Sequence, residues 1–145
     1  VPEKHFIFND GFCHVHKSIH SEDVKKAKEL HPDALVLAHP ECTSDTLALA
    51  DFIGSTSQII DYATASDSKK FLICTEMGVF YELMQKNPDK KFFSVGHRQF
   101  CPNMKKVSLD KVLEKLEDLK DEVILPEEMC EQAKKPLDEM LRLAQ

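Results

Sequence analysis

No stretch of this sequence approaches the ~20 consecutive apolar residues that a membrane-spanning helix requires. The opening Val1-Pro2-Glu3-Lys4 has neither the basic flank nor the apolar core of a secretory signal, so the reading is cytosolic (cytoplasmic). Basic blocks are missing too. With 25 Asp and Glu against 19 Lys and Arg, the formal net charge is -6. That makes nucleic acid and anionic membranes poor partners, while a small anion can still bind locally. Glycine numbers 4 and proline 7, too few for a collagen-like or low-complexity chain. The five cysteines, Cys13, Cys42, Cys74, Cys101 and Cys130, contain no CxxC pair. An odd number at irregular spacings argues against a complete disulfide framework and leaves reduced thiols or metal ligands. No internal repeat is visible. The chain starts without methionine and enters a strand-like segment almost at once, which suggests a piece of something longer.

What is present suits one ordinary globular domain: 145 residues, 42% hydrophobic and 30% charged. Lys4 to Phe8 reads as a strand ended by Asn9-Asp10-Gly11. Val24, Ala27 and Leu30 at helical spacing predict a helix over Ser21–Leu30, stopped by His31-Pro32-Asp33 before the buried strand Ala34–Ala38. Thr43 or Ser44 can cap a helix carrying Leu47, Leu49, Ala50 and Phe52, with Gly54 just past its end. Ser55-Thr56-Ser57 opens a second helix through Ile59, Ile60, Tyr62 and Ala63. Phe71–Cys74 is a short apolar strand, Met77–Lys86 a helix stopped by Asn87-Pro88, and Lys91–Val95 a further strand. After an irregular stretch, Leu109, Val112, Leu113, Leu116 and Leu119 mark an amphipathic helix, Glu122–Leu125 a strand, and Pro126 onward a final helix. Strands alternating with helices predict an α/β fold, a three-layer αβα sandwich with a mainly parallel sheet. Ligands of such open sheets gather beyond the carboxyl ends of the strands.

The post-strand loops carry the chemistry. Gly11-Phe12-Cys13-His14-Val15-His16 places a thiol and two imidazoles where soft metal ligands can share a cavity. His39-Pro40-Glu41-Cys42 supplies an imidazole, a carboxylate and a thiol in four consecutive residues, suited to proton transfer. The plainer reading of that tetrad is a loop whose His39 and Glu41 cap the next helix. Gly54-Ser55-Thr56 precedes a helix whose N-terminus can take an anion, although hydroxyls there are also ordinary caps. Cys101-Pro102-Asn103-Met104 brings a second thiol to the same predicted end as Cys13. Cys74 and Cys130 read as core residues and Cys42 is ambiguous. Thr75-Glu76 can orient a ligand or cap a helix.

Taken together, Gly11–His16, His39–Cys42, Gly54–Thr56, Thr75-Glu76-Met77-Gly78, Asn87–Phe92 and Cys101–Lys105 resemble the quinolinate synthases (quinolinate synthetase A family), from about Phe6 to the C-terminal helix. The resemblance implies an enzyme of de novo NAD biosynthesis that condenses iminoaspartate with dihydroxyacetone phosphate, releasing phosphate and water. It implies three similar αβα domains around one site and a 4Fe-4S cluster held by one cysteine from each, with an open iron as Lewis acid. By motif match Cys13 and Cys101 are two of those ligands, and a third comes from an N-terminal region that this chain does not carry. His39 and Glu41 match the substrate-contacting histidine and the acid/base glutamate, and Ser55 and Thr56 the hydroxyl pair that grips a carboxylate or phosphate. The implied partners are the rest of the same synthase and L-aspartate oxidase as the supplier of iminoaspartate.

The same pattern divides the chain at 1–12, the end of a preceding domain, 13–105, the αβα domain with the site motifs, and 106–145, a segment packing on the absent first domain. In isolation the last helix is then expected to expose Leu137, Met140 and Leu141, or bury them against another copy, and the fragment alone to be inactive. Two other classes fit the residues: a non-catalytic αβα module in which His39, Ser55 and Thr56 hold a phosphometabolite, and a zinc protein using Cys13, His14 or His16, and Cys101.

Overall fold

The computed structural model describes residues 3, 5, 6, 10–119 and 122–144. The expected first strand falls largely outside them, at Lys4, Ile7 and Phe8, while His5 and Phe6 carry no regular structure. The chain divides into two compact units, Val1–Asn103 and Met104–Gln145.

In the first unit a short helix α1 (His14–Lys17) and α2 (Ser21–Leu30) precede strand β1 (Leu35–Ala38). Then come α3 (Ser44–Leu47), β2 (Phe52–Ile53), α4 (Thr56–Ala65), β3 (Lys70–Cys74), α5 (Val79–Lys86) and β4 (Lys91–Ser94). All pairings are parallel and the strand order is β2-β1-β3-β4. Both central strands are apolar, β3 from Phe71 onward, because both faces are covered. Val36, Ala38, Leu72 and Cys74 pack with Ile19 and Val24 on one face. Leu37, Phe71 and Ile73 pack with Ile59, Ile60 and Ala63 of α4 and Leu83 of α5 on the other. The result is the expected αβα sandwich. From β1 the chain passes outward to β2 and then crosses back to β3, so the sheet's topological switch lies between the carboxyl ends of β1 and β3.

Two local expectations are corrected. The helix expected to run on through Phe52 stops at Leu47, and Phe52–Ile53 is an edge strand instead. Asp51 drives this: its N–H donates to the Val36 carbonyl at 2.8 Å, and its carboxylate accepts from the Val36 N–H at 2.7 Å. Those bonds draw the backbone into register with β1, with Leu37 opposite Phe52. The helix expected from Met77 begins at Val79, because Met77 and Gly78 form a turn bonded elsewhere. Of the apolar residues at helical spacing in α2, Val24 fills the core and Leu30 is 77% exposed.

Gly54 is buried between β2 and α4, and its N–H donates to the Ala38 carbonyl at 3.0 Å. A Cβ there would lie 2.6 Å from Phe52 Cε1 and 2.9 Å from Gln58 Cβ. The Phe52 ring is itself stacked on Tyr62 at 4.3 Å, so it has little freedom to withdraw. Gly54→Ala is expected to destabilise this unit by about 1–3 kcal/mol through overpacking, measured by urea denaturation; an unchanged midpoint would show that the neighbours yield freely.

The second unit holds a 3₁₀ turn (Met104–Lys106), α6 (Leu109–Asp118) and α7 (Glu127–Leu143). Ser108 caps α6 by accepting from the Lys111 N–H. Glu122–Leu125, read as a strand, is irregular and has no ladder partner among the described residues. An apolar run becomes a strand only when a neighbour takes its N–H and C=O groups. Cys130, read as core, is exposed. The described residues of α7 bury none of their side chains, and Leu137, Met140 and Leu141 are exposed as expected. Among the described residues no helix is long and apolar enough to cross a membrane.

Candidate active site

The carboxyl ends of β1 and β3 collect the chemistry-bearing residues. Beyond Ala38 the His39 N–H continues the ladder to the Cys74 carbonyl at 3.2 Å. The chain then turns sharply. Pro40 occupies the second position of a turn closed by the Cys42 N–H to the His39 carbonyl at 3.0 Å, the place where a fixed φ favours turning. This turn throws Glu41 over the rim. Thr43, without a side-chain capping bond, holds the N-cap position of the next helix, so His39 and Glu41 do not serve as its caps.

Glu41 instead meets His16, which arrives from α1. His16 Nδ1 lies 2.8 Å from Glu41 Oε2, and His16 Nε2 lies 2.9 Å from Thr75 Oγ1 at the end of β3. A carboxylate only accepts, so Nδ1–H donates to Glu41, and the opposite nitrogen, Nε2, pairs with the Thr75 hydroxyl. His16 and Thr75 are buried, while the Glu41 side chain is 54% exposed. The array therefore runs from a hidden hydroxyl to a solvent-facing carboxylate. His39 stacks on His16 with ring centres 4.2 Å apart and planes within 4°. Its Nδ1 accepts from the Glu41 N–H at 3.3 Å, which leaves Nε2–H as the donor of the neutral ring. Burial, and then the nearby His16, push His39 protonation below its ordinary 6.5, against the opposing pull of Glu41. The ring is neutral near pH 7.

Cys13 stands at the start of α1 without a side-chain capping bond. Its sulfur, a His16 nitrogen and a Glu41 oxygen lie within 4.8 Å of one another, a grouping able to hold a metal ion. Cys101 is not in that group. It is half-buried, and its N–H donates at 3.3 Å to the carboxylate of Glu76, the residue after Thr75. Ser55 and Thr56 are exposed at the start of α4, where Ser55 accepts from the Gln58 N–H and Gln58 Oε1 accepts from the Ser55 N–H, a reciprocal capping box. His14 is exposed and outside the cluster.

A family model described as Quinolinate synthetase A protein matches residues 1–142. The chain belongs to that family. It is 52% identical over 143 residues to a quinolinate synthase of Caldicellulosiruptor bescii, covering 99% of this chain and 47% of the relative. The quinolinate synthase of Caldicellulosiruptor saccharolyticus is 51% identical over 144 residues, with 99% and 48% covered. That of Aquifex aeolicus is 42% identical over 149 residues, with 99% and 46% covered. The chain thus spans about half the length of these relatives.

Within this quinolinate synthetase A chain, Cys42 and Cys74 are separated from the ligand candidates by their surroundings. Burial pushes the Cys42 thiol up to about 11 and the Cys74 thiol up to about 12. Both stay protonated near neutral pH, and Cys42 donates its S–H toward the Cys74 carbonyl at 3.4 Å. From the sequence, His16 is only a candidate metal ligand, not the centre of a hydrogen-bonded array. The partners of His16 lie 25 and 59 positions away, beyond the reach of any local motif. The adjacency of Thr75 to a strand end was the one available signal.

Proposed function

We propose that this chain is the C-terminal portion of a quinolinate synthase, condensing iminoaspartate with dihydroxyacetone phosphate, with loss of phosphate and water, in de novo NAD biosynthesis. The observation that carries this reading is the family match through residues 1–142 with relatives about half identical to the chain. The rest of the same protein would complete the site, and L-aspartate oxidase would supply iminoaspartate.

The donor chemistry fits an iron-sulfur group. Cys13 is half-buried at the rim, and Cys101 is half-buried on a loop bonded to the end of β3. Soft thiolates suit such a cluster better than carboxylates do. Cys13 and Cys101 would hold a 4Fe-4S cluster together with a third cysteine from the N-terminal portion. When bound, its open iron supplies the Lewis acid that the departing oxygen requires.

The remaining work falls to the chain's own side chains. Glu41 takes and returns protons at its exposed carboxylate, held in place by His16. His39, neutral, donates from Nε2–H to a substrate oxygen. Ser55 and Thr56 bind a carboxylate or phosphate, helped by the free N–H groups and dipole of α4. Ser55 already accepts from Gln58 and keeps its own O–H to donate.

A zinc site on Cys13, His14 or His16, and Cys101 is the weaker reading, because His14 is exposed outside the cluster and both ring nitrogens of His16 are engaged, by Glu41 and Thr75, so that a metal would have to displace one of them. The test is the intact protein reconstituted with iron and sulfide without oxygen. Wild type is expected to turn brown and make quinolinate; Cys13→Ser and Cys101→Ser are expected to lose both colour and activity to background. Wild type that loads iron but forms no quinolinate would overturn the reading, and tetrahedral zinc bound in preference to iron would favour the alternative.

A further inference from the structure

We propose that Glu76, assisted by Gln99, is a positioning residue that fixes the Cys101 loop at the rim before any metal arrives. The inference rests on the reading of Cys101 as a ligand. Residues 95–101 contain no helix or strand, so nothing in their own secondary structure aims the thiol. Two buried side chains supply the missing order. Glu76 is 9% exposed, and a carboxylate so enclosed is stable only where donors surround it. Its Oε2 accepts from the Gly78 N–H at 2.6 Å and its Oε1 from the Cys101 N–H at 3.3 Å. Gln99 is also buried. Its Oε1 accepts from the Val95 N–H at 2.5 Å, and its Nε2 donates to the carbonyls of Ile73 and Thr75 at 2.5 and 2.7 Å. The Gln99 carbonyl in turn accepts from the Met77 N–H at 2.8 Å.

Loop and strand end are thus sewn together by bonds running both ways. The carboxylate grips the backbone of Cys101 itself, so the entropy of ordering that residue is met in folding and not at metal capture. Capping of α5, which starts at Val79, accounts for only one of the two oxygens: Oε2 takes the N–H of the N-cap residue Gly78, whereas Oε1 reaches outside that helix to Cys101.

The experiment is alkylation of the metal-free intact protein, with the modified cysteine identified by peptide mass. Glu76→Ala is expected to raise the rate at Cys101 about tenfold, the factor associated with losing one charge-assisted hydrogen bond, while Cys13 reacts as in wild type. Glu76→Gln keeps the shape and one acceptor oxygen and is expected to restore most of the protection. After reconstitution, a chelator should strip iron faster from Glu76→Ala than from Glu76→Gln. Equal rates at Cys101 in all three proteins, or Cys13 and Cys101 accelerating together, would overturn the proposal. If wild type takes up no iron while the Cys101-specific change persists, the ligand reading fails and the positioning role stands.

Discussion

Glu41→Gln in the intact protein is expected to lower kcat for quinolinate formation about 10²–10⁴-fold, the range a positioned acid/base group supplies. Iron content should not change, because the amide is isosteric and Glu41 is not among the proposed cluster ligands. The expectation comes from geometry. Glu41 receives a hydrogen bond from buried His16 at 2.8 Å yet keeps a 54% exposed side chain, so one oxygen is anchored and the other is reachable. Glutamine can still accept from His16 but cannot carry a proton. The fall should therefore appear in kcat with little change in KM, and steady-state kinetics on iron-matched samples would show it. A variant with wild-type kcat would remove Glu41 from the proton path and leave His39 to be tested in the same way.

Phe71→Ala is expected to cost about 3–5 kcal/mol, as truncation of a large buried aromatic does. Phe71 is fully buried in β3, opposite Phe92 in the ladder and stacked on its ring at 5.5 Å. It joins the face packed by Ile59, Ala63 and Leu83, so truncation opens a void that α4 and α5 cannot both close. With total stabilities of about 5–15 kcal/mol for a domain, the variant would sit near the edge of folding. At roughly 4–8 °C per kcal/mol for a domain of 60–100 residues, the melting temperature should fall by more than 10 °C. Tyr81→Ala, at a 72% exposed position of α5, provides the contrast and should melt within a few degrees of wild type. Similar melting of the two variants would mean that this face of the sheet does not carry the core.

The helices and central strands could be read in advance because their signals are local. Val24 and Ala27 fall at helical spacing before His31-Pro32, Ser55 caps α4, and the apolar runs of β1 and β3 need cover on two sides. Phe52–Ile53 was hidden because two residues make no periodicity, and its cause, Asp51 reaching Val36, is tertiary. Glu122–Leu125 misled for the opposite reason: its composition suits a strand, but among the described residues no strand pairs with it. The tetrad His39–Cys42 stood out through its place after an apolar strand. Its alignment by His16 and Thr75, and the ties from Glu76 and Gln99, join residues far apart in sequence and belong to the fold alone.

The His39 amide hangs on the Cys74 carbonyl as one more rung of the ladder between β1 and β3, the pair of strands with neighbours on both sides. Loosening the imidazole's backbone therefore means prising apart the best-protected seam of the sheet, an event with nearly the free energy of global opening. On heating, this part of the machinery would not fade ahead of the fold: working geometry and native structure would disappear in a single step.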